Sequence, residues 1–74
     1  MNIEQSLIAD YNFCMEDHAE FGYRLCPLLR TVAALNPEAT KKEFVDAMVQ
    51  CNVRKETAAI QWVAVRKQSP EYFN

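Results

Sequence analysis

Residues that interrupt regular structure are scarce in this chain of 74 residues, which has one glycine and three prolines. Valine, isoleucine and threonine occur, but not in the alternating runs that are typical of strands. No segment is long and apolar enough to cross a bilayer, and the N-terminus lacks the basic start and apolar block of a signal peptide. We therefore expect an intracellular, cytoplasmic protein without strands or membrane spans.

Cysteine and histidine, the residues that most often bind zinc, are few: Cys14, Cys26, Cys51 and His18. An odd number of cysteines without framework spacing fits reduced thiols. The four side chains could form a Cys3His zinc site. However, none of them forms a CxxC pair, and each falls on an expected core stripe, so we predict no metal and no cofactor. Because no nucleophile accompanies His18 in a recognisable order, we do not expect an enzyme.

The helical signals are strong and cover most of the chain. Alanine, leucine and other good helix formers are abundant, and apolar residues recur at steps of three and four. Asn2 is a plausible N-cap, and Thr40 with Glu43 has the spacing of a capping box. We predict a single all-α domain, residues 1–74, a small bundle of about four helices at about 3–18, 27–35, 40–51 and 55–68.

The last two predicted helices are joined so tightly that they resemble a helix-turn-helix pair. Asn52 tolerates a left-handed backbone, which suits a turn, and Val53 can fill the corner between the helices. Helix 4 is apolar over most of its circumference, which favours either a partner surface or deep burial. A base-reading second helix needs a polar outer face. The apolar circumference of helix 4 therefore leaves open both DNA binding and binding of a partner protein.

Charge is unevenly distributed along the chain. Residues 1–38 hold six acids and two bases, a net charge of −4, whereas residues 39–74 hold six bases and four acids, a net charge of +2. The basic half contains the predicted helix-turn-helix pair. Such polarity can steer a polyanion to one face of a protein, although it is equally typical of an ordinary solvated surface.

The segment from residue 40 to residue 68 contains a pattern of ten residues: Thr40, Lys41, Glu43, Phe44, Thr57, Ala58, Ala59, Gln61, Arg66 and Lys67. In these residues the segment resembles small helix-turn-helix proteins of phages and their bacterial hosts. Its sequence departs from their pattern at two positions, where Asn52 replaces the turn glycine and Arg54 replaces the capping asparagine. The resemblance implies a small, dimeric DNA-binding regulator of phage origin.

The resemblance also implies roles for individual side chains. Residues at the start of helix 4 would approach double-stranded DNA first, Gln61 would reach a base edge, and lysines and arginines at both ends of the pair would contact phosphates. A homodimer would be needed, because so few bases bind DNA weakly at physiological salt. The predicted DNA-binding residues are Lys41, Lys42, Arg54, Lys55, Thr57, Gln61, Arg66 and Lys67.

The alternative is a small acidic helical factor that binds another protein and has no contact with nucleic acid, as host-takeover inhibitors and adaptors of phages do. The acidic first half and the apolar girth of helix 4 favour this interpretation. It predicts an exposed apolar patch in place of an exposed cationic one. The predicted interface residues are Phe13, Ile60, Trp62, Tyr72 and Phe73.

Overall fold

The structure, a computed structural model, describes residues 2–67, and these residues form an all-α bundle. No strand occurs among them, and none of their helices has the length and apolar character that a bilayer span requires. The prediction of about four helices is confirmed. The helices are α1 (Ile3–Glu16), α2 (Leu25–Leu35), α3 (Lys41–Gln50) and α4 (Lys55–Arg66), and a short 3₁₀ helix (His18–Phe21) lies between α1 and α2.

Two helices begin at the predicted N-caps, Asn2 and Thr40, and both caps are reciprocal, although the sequence predicted that only for Thr40. Asn2 accepts a hydrogen bond from the Gln5 amide (2.8 Å), and the Gln5 side chain accepts one from the Asn2 amide. Thr40 accepts from the Glu43 amide (3.2 Å), and the Glu43 carboxylate accepts from the Thr40 amide (2.9 Å). Each cap satisfies amides that the first helical turn leaves free, which stabilises a helix by about 1 kcal/mol.

The core lies between the four helices, because α1 packs on α2 and α3, and α4 packs on the other sides of the same two helices. The spacing of apolar residues in α3 predicts that Phe44, Ala47, Met48 and Cys51 face inward. Phe44, Ala47 and Met48 are buried as predicted, whereas Cys51 at the C-terminal cap is only half-buried. The largest fully buried apolar side chains are Phe44, Leu7, Leu28, Leu29, Met48 and Val32.

A buried asparagine links the helices through polar contacts. Asn36 follows α2, and its amide nitrogen donates to the Asp10 carboxylate (2.8 Å) and to the Val32 carbonyl (3.0 Å). Its side-chain oxygen accepts from the Ser6 hydroxyl (2.7 Å), and its backbone carbonyl accepts from the Arg66 guanidinium. Asn36 therefore connects α1, α2 and α4.

The connection between α1 and α2 differs from the prediction. The first helix ends at Glu16, two residues early, and the 3₁₀ helix follows it. The chain then turns through two consecutive left-handed residues, Gly22 (φ 63°) and Tyr23 (φ 57°). The second helix begins at Leu25, two residues before the predicted start, because Pro27 lies in the first turn, where its missing amide hydrogen has no intrahelical partner to lose.

The left-handed backbone at Tyr23 predicts an unusual substitution effect. A residue with a Cβ atom costs roughly 1–2 kcal/mol in this conformation, and glycine avoids most of that cost. Tyr23 is exposed, and its ring meets His18 edge-on with centroids 5.5 Å apart. We expect a Tyr23→Gly variant to be about 1 kcal/mol more stable than a Tyr23→Ala variant, since both lack the ring and only alanine keeps the strain. Urea denaturation of the two variants measures this difference, and equal midpoints would contradict it.

Candidate functional site

The turn between α3 and α4 fixes where the second helix starts. Asn52 has a positive φ of 66°, so the prediction that it is the turn residue is confirmed. The Val53 amide donates to the Met48 carbonyl (3.0 Å), and the Asn52 amide donates to the Val49 carbonyl (3.0 Å). This pair of bonds is the Schellman motif, and the buried side chains of Val53 and Met48 accompany it as usual.

Helix α4 begins without a side-chain cap. Arg54 occupies the N-cap position with an extended backbone, and its side chain makes no capping hydrogen bond. The first turn still closes, because the Ala58 amide donates to the Arg54 carbonyl (3.0 Å) and Ala58 is fully buried. The side chains of Arg54 and Lys55 remain exposed to solvent at the start of the helix.

Gln61 does not face solvent as the DNA-reading hypothesis requires. Its side chain is only 7% exposed, and its carbonyl oxygen accepts a hydrogen bond from the Arg30 guanidinium of α2 (2.9 Å). The predicted exposure is therefore wrong, because Gln61 lies at the contact between α4 and α2, where Arg30 satisfies its side chain. Thr57, one turn earlier, is half-buried.

Arg66 and Trp62 are likewise engaged within the fold. The Arg66 guanidinium lies 5.6 Å from the centre of the Trp62 ring and donates to the Asn36 carbonyl. Burial lowers the pKa of Arg66, although nearby Glu38 opposes that effect. The Trp62 indole donates to the Ala39 carbonyl (3.2 Å). Arg66 is thus only partly exposed, and Trp62 is partly buried against the core. The predicted roles of Arg66 as a phosphate contact and of Trp62 as an interface residue stay predictions.

The remaining cations of the predicted DNA-binding set are exposed, and three of them share a groove. Lys41 and Lys42 of α3 and Lys55 of α4 line a groove of about 540 Å³ between the two helices. Its other lining residues include Val45 and Ala59. Lys42 is paired with Asp46 (2.7 Å), so Lys41 and Lys55 contribute most of the uncompensated positive charge. Lys67 is exposed and does not line this groove.

An apolar strip of α4 continues this groove. Ile60 is 63% exposed, and Ala59, Val63 and Ala64 lie half-buried beside it. With Lys41 they line an adjoining depression of about 280 Å³. We call these five residues and Lys55 the α3–α4 surface. Of these six residues, the sequence predicts only Ile60 as an interface residue. The apolar circumference of α4 is the signal that indicates Ala59, Val63 and Ala64.

Two sets of predicted site residues remain, the four candidate zinc ligands and the interface residues outside α4. Cys14, Cys26, Cys51 and His18 are not brought together, since no three metal-ligating side chains cluster anywhere in residues 2–67. Phe13 is 64% exposed on α1, as its predicted interface role requires. Tyr72 and Phe73 lie outside the described residues.

The fold perturbs two thiols and one phenol, those of Cys14, Cys51 and Tyr11. Burial raises the pKa of Cys14, and Asp10 and Asp17 raise it further. Burial also raises the pKa of Cys51. The pKa of Tyr11 is raised mainly by burial and further by the nearby Cys51. The folded protein therefore favours the neutral forms of all three groups.

These shifts predict a loss of stability in alkaline solution. The folded state holds the Cys14 and Cys51 protons more tightly than the unfolded chain does, so the free energy of unfolding falls as the pH rises above their usual pKa of 9.0. We expect a Cys14→Ala, Cys51→Ala double variant to lose less stability than the parent protein between pH 7 and pH 10. Urea denaturation across that range measures the difference, and parallel pH profiles would contradict the assignment.

The α3–α4 surface combines an exposed apolar strip with two uncompensated lysines. Such a combination can bind an apolar side chain and neighbouring carboxylates at the same time. No protein-family model, curated protein or solved structure matches this chain. The chemistry of the surface itself is therefore the basis for a functional proposal.

Proposed function

We propose that this chain is a protein-binding factor whose α3–α4 surface binds an acidic amphipathic segment of a partner protein. The observation that carries the proposal is the outward face of α4, where Ile60 stands exposed between half-buried Ala59, Val63 and Ala64. An exposed isoleucine of this kind gains roughly 1.5–3 kcal/mol when a partner buries it. Apolar anchors of this type carry much of the affinity of many protein interfaces.

The charge around the apolar strip indicates the chemistry of the partner. Lys41 lies at the meeting point of the two depressions, and Lys55 borders the larger one. Carboxylates on the partner would meet these ammonium groups at the rim, where they raise the association rate and fix orientation. A helical segment with leucines on one face and glutamates on the other matches both features.

The inward position of Gln61 supports this proposal over base reading. A helix that reads bases presents polar side chains to the groove of DNA. Here the polar Gln61 hydrogen-bonds Arg30 inside the bundle, and the large apolar side chain of Ile60 faces outward beside exposed Lys55 and Glu56. An apolar outer face suits a protein partner better than base edges and phosphates.

DNA binding is the second candidate, and the distribution of exposed cations favours it. Lys41 and Lys42 lie in the first turn of α3, and Arg54 and Lys55 lie at the start of α4. Lysines and arginines near helix N-termini can contact phosphates without reading sequence. Four such contacts give weak affinity at physiological salt, so this candidate requires the homodimer that the sequence resemblance implies.

A peptide titration tests the protein-binding proposal. The probe is a fluorescent helical peptide of about 18 residues, roughly five turns, with leucines on one face and glutamates on the other. We expect an Ile60→Ala variant to bind it about tenfold more weakly, a loss of about 1.4 kcal/mol. The matched control is Val49→Ala, which removes an exposed apolar side chain of α3 that lines neither depression. Equal affinities of the two variants would contradict the proposal.

The same protein titrated with random-sequence duplex DNA separates the two candidates. If DNA is the ligand, affinity falls steeply between about 50 and 200 mM salt. Lys55→Gln would then weaken DNA binding, and Ile60→Ala would leave it unchanged. That pattern, together with no binding of the acidic peptide, would establish DNA as the ligand and reject a protein partner.

A further inference from the structure

A second apolar groove lies between α1, the 3₁₀ helix and α2, on elements that the α3–α4 surface does not use. It has a volume of about 220 Å³. Two of its lining residues are large and exposed, Phe13 at 64% and Leu35 at 55%. The full lining, which we call the α1–α2 groove, is Phe13, Cys14, Asp17, Glu20, Phe21, Thr31 and Leu35.

The charge of this groove is opposite to that of the α3–α4 surface. Asp17 and Glu20 border it, and both are exposed. Residues 2–23 together carry five carboxylates and no lysine or arginine. Within residues 2–67, neither of these two acids forms an ion pair. The rim of the groove is therefore negative, and α1 has no lysine or arginine that could neutralise it.

We propose that the α1–α2 groove binds a cationic amphipathic segment of a second partner protein, so that the chain bridges two proteins of opposite charge. Phe13 and Leu35 provide apolar contacts for the buried face of that segment. Asp17 and Glu20 pair with its lysines or arginines at the rim, where electrostatic complementarity selects one partner over another.

The same charges argue against a second copy of this chain as the occupant through a symmetric contact. An isologous dimer across this groove would bring two carboxylate-rich α1 helices together, since the same patch meets itself across the twofold axis. Like charges at such an interface are unfavourable. A basic partner removes this repulsion and replaces it with attraction.

The test uses a fluorescent helical peptide of about 18 residues with leucines on one face and lysines on the other. We expect the intact chain to bind it, and Phe13→Ala and Leu35→Ala each to weaken binding about tenfold. Val49→Ala is the control for loss of an exposed apolar side chain, and it should bind as the parent does. An Asp17→Asn, Glu20→Gln double variant should bind several-fold more weakly and with a smaller salt dependence.

Two results would overturn the proposal. If Phe13→Ala and Val49→Ala bind the cationic peptide equally well, the peptide is held by negative charge alone and the groove is not its site. If sedimentation equilibrium reveals a dimer that Phe13→Ala dissociates, the occupant is a second copy. Ile60→Ala should leave binding of the cationic peptide unchanged, so failure of the α3–α4 proposal is distinguishable from failure of this one.

Discussion

An Asn36→Ala variant is expected to lose about 3 kcal/mol of unfolding free energy. The substitution removes three side-chain hydrogen bonds, to Ser6, Asp10 and the Val32 carbonyl. Each such bond contributes roughly 0.5–1.5 kcal/mol, and more when the partner is charged, as Asp10 is. Asn36 is 1% exposed, so alanine also leaves a small cavity. A domain of this size has a total stability of only roughly 4–11 kcal/mol, and the loss is therefore a large fraction.

Urea denaturation monitored by circular dichroism measures this loss. Asn12→Ala is the matched control, because Asn12 is an exposed asparagine on α1 and its removal should change stability by less than about 0.5 kcal/mol. If the two variants unfold at the same urea concentration, water replaces the Asn36 contacts at no cost. The buried asparagine would then have no role in holding the helices together.

Phe44→Ala is the second substitution with a large expected effect, a loss of about 4 kcal/mol. Phe44 is fully buried in α3 and belongs to the core that all four helices share. Replacing a buried phenylalanine by alanine forfeits its transfer free energy and leaves a cavity, at a typical cost of about 3–5 kcal/mol. The capping box at Thr40 and Glu43 cannot offset such a loss, since a cap contributes about 1 kcal/mol.

Because Phe44→Ala could unfold the chain outright, Phe44→Leu provides a graded comparison. Leucine keeps most of the apolar volume, so this variant should lose less than half as much stability and remain folded. Val49→Ala, on the exposed side of the same helix, should change stability by less than about 0.5 kcal/mol. A tolerated Phe44→Ala would mean that α3 does not pack through Phe44.

Local patterns in the sequence were enough to predict that Phe44 is buried and that the chain folds into about four helices. The spacing of apolar residues placed Phe44, Ala47 and Met48 on one face, and all three are buried. Caps and turns also act over a few residues, so Thr40 and Asn52 could be assigned from their neighbours. These features were predictable because their energetics depend on contacts within one or two helical turns.

The features that the sequence did not predict depend on contacts between distant residues. Asn36 gains its role from Ser6 and Asp10, which precede it by 30 and 26 positions. Gln61 is buried because Arg30, 31 positions earlier, offers it a hydrogen bond. A pattern within α4 alone cannot distinguish an exposed glutamine from one that another helix satisfies. The error in the predicted exposure of Gln61 therefore came from its tertiary partner and not from its helical phase.

The orientation of α4 about its own axis determines both that Gln61 faces the core and that Ile60 faces solvent. Ala58 and Gln61 are buried on one side, so the side with Ile60 is left to solvent. Lys41 and Lys55 then border the apolar strip instead of extending a continuous cationic surface. The α3–α4 surface and the α1–α2 groove are thus two apolar surfaces bordered by charges of opposite sign, as the proposed binding of two partner proteins requires.

Residue-resolved NMR shift mapping with the acidic helical peptide tests the central claim most directly. We predict that amide shifts of Lys41, Ala59, Ile60 and Val63 change together on addition of the peptide, while those around Phe13 and Leu35 stay unchanged. Shifts confined to Arg54 and Lys55 on addition of duplex DNA, with none caused by the peptide, would contradict it.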